Sequence, residues 1–76
     1  MIFDKIVSVI AEKTGLNPEL ITLDSDFTDD LNIDSLDIFE IIMDLEDEYS
    51  LEIPTEDLEG MRKVSDLVSY LDRKLS

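Results

Sequence analysis

Apolar residues recur at helical spacing in four stretches of the chain, and no stretch alternates at the two-residue period of a strand for long enough to compete. In the first stretch, from Ile2 to about Lys13, residues Ile2, Phe3, Ile6, Val7, Val9 and Ile10 share one arc, with Asp4, Lys5, Ser8 and Glu12 opposite. Thr14–Gly15 predicts its end, because glycine adopts the left-handed conformation that closes a helix at no steric cost. Leu16 to about Asp34 then reads as a long connection, with a turn at Asn17–Pro18 and isolated apolar residues Leu20, Ile21, Leu23, Phe27 and Leu31 to pin it down. A loop of that length in so short a chain points to function. The second helix is predicted from Ser35 to about Tyr49 with Asp34 as its cap. Asp37 follows at capping-box spacing, and both charges suit the positive end of the helix dipole. Pro54 predicts a short helical turn through Leu58, stopped by Gly60. Val64, Leu67, Val68, Leu71 and Leu75 share one arc of a last helix, Val64 to Leu75, which has no evident cap in front of it but Arg73 and Lys74 near its end. The fold class is therefore all-α: a small four-helix bundle of three longer helices and one short one, with a long loop between the first and second.

The second helix carries more than amphipathicity. Ile38, Phe39, Ile41, Ile42, Leu45 and Tyr49 span an arc of about 160°, enough for a core face. Asp37, Glu40, Asp44, Asp47 and Glu48 fill the opposite arc, and no Lys or Arg occurs between Asp34 and Glu59. A solvated helix ordinarily interleaves Lys with Glu at i,i+4; here every such pair repels. Leu36 and Met43 lie nearly in line at the border of that acidic arc, so they read as an apolar anchor ringed by carboxylates, the form of an interface core with a charged rim.

Composition narrows the function. With 20 Asp and Glu against 6 Lys and Arg, the 76 residues carry a formal charge of −14. Such a polyanion repels nucleic acid phosphates and anionic membrane surfaces, and its field steers basic protein partners into contact. The absence of Cys and His excludes disulfides, thiol redox chemistry, Cys/His zinc sites and any imidazole-dependent catalysis. The 43% apolar content argues for a folded chain rather than an acidic disordered tail. Met1–Ile2–Phe3–Asp4–Lys5 lacks the pattern of a leader peptide, and no stretch has the length of a transmembrane helix. One cytoplasmic, monomeric domain over residues 1–76 is the expectation, with no enzymatic activity. Asp24–Ser25–Asp26–Phe27–Thr28–Asp29–Asp30 opens like a calcium loop, but Asp29 stands where such a loop needs Gly and Ser35 where it needs Glu, so no specific metal site is expected.

Ser35, following a capping Asp at the end of a long loop, is the nucleophile placed for modification, and a phosphate ester there would meet the positive end of the dipole. Asp34–Ser35–Leu36–Asp37, then Glu40, Met43, Leu45–Glu46–Asp47–Glu48–Tyr49 and Glu52–Ile53–Pro54, resemble the acyl carrier proteins of the dissociated, type II kind, and the resemblance extends over the whole chain. It implies a 4′-phosphopantetheine arm, attached to Ser35 by a holo-protein synthase (a phosphopantetheinyl transferase), whose thiol holds growing fatty acyl chains as thioesters. It implies delivery of these chains to ketoacyl synthases, reductases, dehydratase and acyltransferases, whose basic patches would meet Asp34, Asp37, Glu40, Glu46 and Asp47, with Leu36 and Met43 as apolar contacts. It also implies that the core opens for an acyl chain, for which Phe27, Ile42, Leu45, Tyr49, Ile53, Leu58 and Met61 are the candidate lining. Asn32 and Ile33 depart from the family's usual glycine and small residue before this motif, and Asp44 stands where a small residue is common. A carrier of the same fold in polyketide, peptide or D-alanyl transfer, and a helical adaptor without cofactor, are the alternatives.

Overall fold

Gly15 ends the first helix where the sequence predicts. In the computed structural model of the protein, which describes residues 2–76, helix α1 spans Ile2–Thr14 and Gly15 takes φ 77°, its N–H donating to the Ala11 carbonyl at 2.8 Å. Met1, the start of the stretch read above as unlike a leader peptide, lies outside the described residues. Helix α1 runs one residue past Lys13 because the Thr14 hydroxyl donates to the Ile10 carbonyl at 2.7 Å, closing the last turn. Asn17–Pro18 begins a single 3-10 turn over Pro18–Leu20, with the Asn17 side chain accepting the Glu19 N–H.

Helix α2 spans Ser35–Tyr49 and terminates at Ser50, which takes the left-handed conformation at φ 54° although it is not glycine. Helix α3, Thr55–Leu58, is one turn long, has no side-chain cap and contributes no buried residue. Pro54 precedes it as the cap position rather than starting it. Helix α4 spans Val64–Leu75. The cap that its sequence hides comes from inside the helix: Asp66 Oδ2 reaches back to accept the N–H groups of Arg62 and Lys63, both at 3.0 Å. Those two donors hold the Asp66 carboxyl below its ordinary value.

The core forms where α1 packs against α2 and α4. Ile6 and Ile10 of α1, Ile41, Ile42 and Leu45 of α2, and Val64, Leu67 and Leu71 of α4 are buried together. The long loop closes the core with Ile21, Phe27, Leu31 and Ile33. It is held by backbone bonds as well as by apolar contacts. The Phe27 N–H donates to the Arg62 carbonyl, Val64 N–H to Ser25, and Ser65 N–H to Leu23, at 2.9, 3.0 and 3.0 Å. Asp26 and Lys63 thus form one isolated antiparallel bridge in a chain with no strand among the described residues. Phe39 differs from its expected place on the core face: it is 43% exposed. The buried arc of α2 is narrower than its apolar arc, because α1 packs only against the side centred on Ile41, Ile42 and Leu45.

Candidate functional site

The end of the loop sets up the first turn of α2. Asn32 takes φ 54°, the left-handed backbone that its short polar side chain tolerates. Its N–H donates to the Thr28 carbonyl at 3.1 Å, and the Ile33 N–H to Phe27 at 2.9 Å. Ile33 points inward and is buried, so the residue larger than the family's usual one fills core rather than crowding its neighbours. Asp34, extended at φ −82°, caps α2 by accepting the Asp37 N–H on Oδ1 at 2.9 Å. Ser35 is the first helical residue and is exposed. Among the described residues its hydroxyl has no hydrogen-bond partner, and the Ser35 and Leu36 N–H groups are unpaired. A free hydroxyl beside unpaired donors at the positive end of a fifteen-residue helix suits esterification by an anionic group.

From Ser35 the exposed side of α2 divides into three strips. Leu36 (76% exposed), Phe39 and Met43 (61%) form an apolar ridge at i, i+3 and i+7. Phe39 belongs to this ridge, and its sequence position alone concealed that. Glu40 and Asp47 are exposed beside the ridge, with Asp34 and the half-buried Asp37 at its start. The far strip is neutralised by α1: Lys5 Nζ lies 2.9 Å from Glu48 Oε1 and Lys13 Nζ 3.4 Å from Asp44 Oδ2. Hydrogen bonding to Glu48 raises the Lys5 pKa above its ordinary value. The unbroken acidic face expected of α2 is therefore an acidic strip along the ridge and an ion-paired strip against α1. Glu46 sits apart from both, half-buried, with Oε2 accepting the Ile53 N–H at 2.8 Å.

Beneath α3 lies a small apolar cavity of about 20 Å³, lined by Phe27, Ile38, Ile41, Ile42, Leu58, Met61 and Leu67. Four of the residues proposed as lining, Phe27, Ile42, Leu58 and Met61, meet there; Ile38, Ile41 and Leu67 complete it. Leu45, Tyr49 and Ile53 do not line it: Leu45 is fully buried in the core, Tyr49 packs on the edge of the core and Ile53 is the buried residue of the α2–α3 connection. The acidic loop carboxylates serve the backbone. Asp26 Oδ1 accepts the Thr28 and Asp29 N–H groups at 2.9 and 3.0 Å, and Asp30 Oδ2 accepts the Asp26 N–H at 2.7 Å. The Asp29 and Thr28 donors, with Arg62 3.6 Å away, hold the Asp26 carboxyl below its ordinary value. Among the described residues no group of three or more carboxylates is arranged to hold a metal ion.

The family described as "Phosphopantetheine attachment site" matches residues 4–71. Acyl carrier protein from Clostridium perfringens (strain 13 / Type A) is 52% identical over 69 residues, 91% of each chain. Acyl carrier protein from Bdellovibrio bacteriovorus is 44% identical over 73 residues, 96% of this chain and 94% of the relative. A small helical fold, an exposed serine opening an acidic helix, and likeness of this extent lead to one conclusion. The chain belongs to the acyl carrier proteins, carriers rather than enzymes, whose attached group is phosphopantetheine.

Proposed function

We propose that Ser35 carries the 4′-phosphopantetheine arm and that the protein delivers growing fatty acyl chains to the enzymes of fatty acid biosynthesis. The observation that carries this reading is the exposed Ser35 hydroxyl at the first position of α2, unpartnered among the described residues. When bound, the group supplies a thiol on which acyl chains ride as thioesters. The chain's own part is to hold that hydroxyl outward, to favour the phosphodiester through the unpaired N–H groups of the first turn, and to present one surface to several enzymes. Asp34, Asp37, Glu40 and Asp47 steer basic patches, and Leu36, Phe39 and Met43 form the apolar contact. One oxygen of the Glu46 carboxylate is engaged within the chain by the Ile53 N–H. No helix among the described residues is long and apolar enough to cross a membrane.

Co-expression with a phosphopantetheinyl transferase, read by intact mass, tests the assignment. The wild-type chain gains the mass of the group and Ser35→Ala does not, while its helical content is unchanged because Asp34 still caps α2. The added mass on the Ala variant would move the site to another residue. The mass of the species carried in the native host tests the pathway, since fatty acyl intermediates differ in mass from polyketide, aminoacyl and D-alanyl cargo.

A further inference from the structure

The cavity under α3 has the size of about one water molecule, far less than an acyl chain of several carbons occupies. A chain stored there has to enter by displacing part of the wall. Helices α1, α2 and α4, with the long loop, supply most of the buried core, whereas α3 is a single turn with no buried residue and no side-chain cap. The movable wall is therefore the segment that places Leu58 and Met61 over the cavity.

Two polar ties hold that segment. At its entry, Glu46 Oε2 accepts the Ile53 N–H. In its middle, the Tyr70 hydroxyl of α4 donates to Asp57 Oδ2 at 2.7 Å. The second tie joins two side chains thirteen residues apart, and it is the side-chain hydrogen bond linking α3 to another helix among the described residues. A bond to a charged acceptor is stronger than one between neutral groups, and the half-buried Tyr70 ring keeps water from competing freely for it. Lys74 Nζ lies over the same ring, 5.5 Å from its centre, and braces it. Gly60 follows α3 with open space where a Cβ would stand, so the chain turns there without steric support from its neighbours.

We infer that Tyr70 and Asp57 form a latch that sets how often α3 lifts from the cavity, making them positioning residues for cargo storage. The inference rests on the carrier reading for what enters, but the latch exists before anything is attached. It is therefore testable on the unmodified chain.

Hydrogen exchange of the full-length unmodified protein gives the first readout. The Asp57 N–H, bonded to the Pro54 carbonyl, and the Met61 N–H, bonded to Leu58, lie within the segment and report opening in which the single turn unravels as it lifts. Tyr70→Phe keeps the ring and removes the donor, and is expected to speed exchange at these two amides about tenfold while the core amides of α1, α2 and α4 keep their rates. Asp57→Asn keeps an acceptor without its charge and is expected to give a smaller effect in the same place. The double variant should add little to Tyr70→Phe, as two halves of one bond require. The second readout is the terminal ¹³C-methyl of octanoyl-loaded protein, whose exchange between cavity and solvent is expected to quicken in Tyr70→Phe. Unchanged exchange at Asp57 and Met61, or acceleration spread evenly over all helices, overturns the latch. So does local opening with no change in octanoyl exchange. A wild-type chain that gains no mass with the transferase overturns the Ser35 assignment instead, and leaves the exchange result standing.

Discussion

Glu46 Oε2 accepts the Ile53 N–H at 2.8 Å, tying the last turn of α2 to the segment that enters α3. The carboxylate is among the acids that the family resemblance assigns to a partner surface, but its geometry gives it a structural task. Glu46→Ala leaves the N–H of buried Ile53 without its acceptor and is expected to cost about 1–3 kcal/mol. Glu46→Gln, which keeps an acceptor, costs less, and Asp47→Ala stays within about 0.5 kcal/mol. Urea unfolding of the three variants measures the order.

The apolar ridge and the acids beside it are expected to fail differently when altered. Glu40→Lys weakens binding to a ketoacyl synthase by about 1–3 kcal/mol, mostly through the association rate, and the loss fades as salt rises. Phe39→Ala and Met43→Ala speed dissociation with little dependence on salt. Both leave stability within about 1 kcal/mol, since each side chain is largely outside the core, whereas Leu45→Ala, at a fully buried site, costs about 2–5 kcal/mol. Surface-plasmon kinetics at two salt concentrations separate the two classes. A Met43→Ala variant that loses several kcal/mol of stability would return Met43 to the core.

Acid is expected to act in two stages. From neutral pH downward, titrating carboxylates relieves the repulsion of a chain with formal charge −14, and stability rises. Asp26 and Asp66 then reverse the trend. Their folded pKa values lie below the ordinary 3.8, so their contributions are present above pH 3.8 and are lost as pH falls from there through the folded values. Asp26→Asn and Asp66→Asn should each flatten the acid limb of urea midpoint against pH.

The alkaline limb carries the opposite sign. Burial first, then the hydrogen bond to Asp57, push the Tyr70 phenol up to about 12 from an ordinary 10. Its contribution is complete below pH 10 and disappears between there and about 12, because the unfolded chain loses the proton first. Tyr70→Phe should flatten that limb, and tyrosinate absorbance should show one ring titrating late in the folded protein.

Added NaCl is expected to raise the melting temperature, most steeply up to about 0.1 M. Three ion pairs among the described residues do little against 20 carboxylates, and surface pairs are individually worth little. A melting temperature that is flat or falls over that range would show that repulsion does not limit stability.

The helices were legible because their punctuation is local. Gly15, Asp34, Pro54 and the arc of Val64 to Leu75 each act within a turn of themselves. What escaped is non-local. A helical wheel gives the direction of Phe39 but not the width of surface that α1 covers, so an apolar arc is not the same as a buried one. The bridge between Asp26 and Lys63 joins residues far apart in sequence through main-chain groups, which leave no mark in residue type. Asp66 was hidden as a cap because it reaches backward from inside its helix. The lysines that neutralise Asp44 and Glu48 stand a helix away, at Lys13 and Lys5. The position of Ser35 at the start of α2 was legible because the capping Asp before it and the helix after it are adjacent in the chain.

The backbone bonds that sew Leu23, Ser25 and Phe27 to the start of α4 divide the molecule into parts of unequal stiffness. The loop ahead of Ser35 is fastened to the frame, and α3 hangs from it by side chains. On the proposed reading, address and content are thereby written in different places. An enzyme docking on α2 meets the same ridge whether the arm is empty or loaded, because nothing behind that surface has to give. To learn what is aboard before drawing it out, an enzyme would have to feel the soft wall, and one that touches only α2 would visit loaded and empty carriers alike.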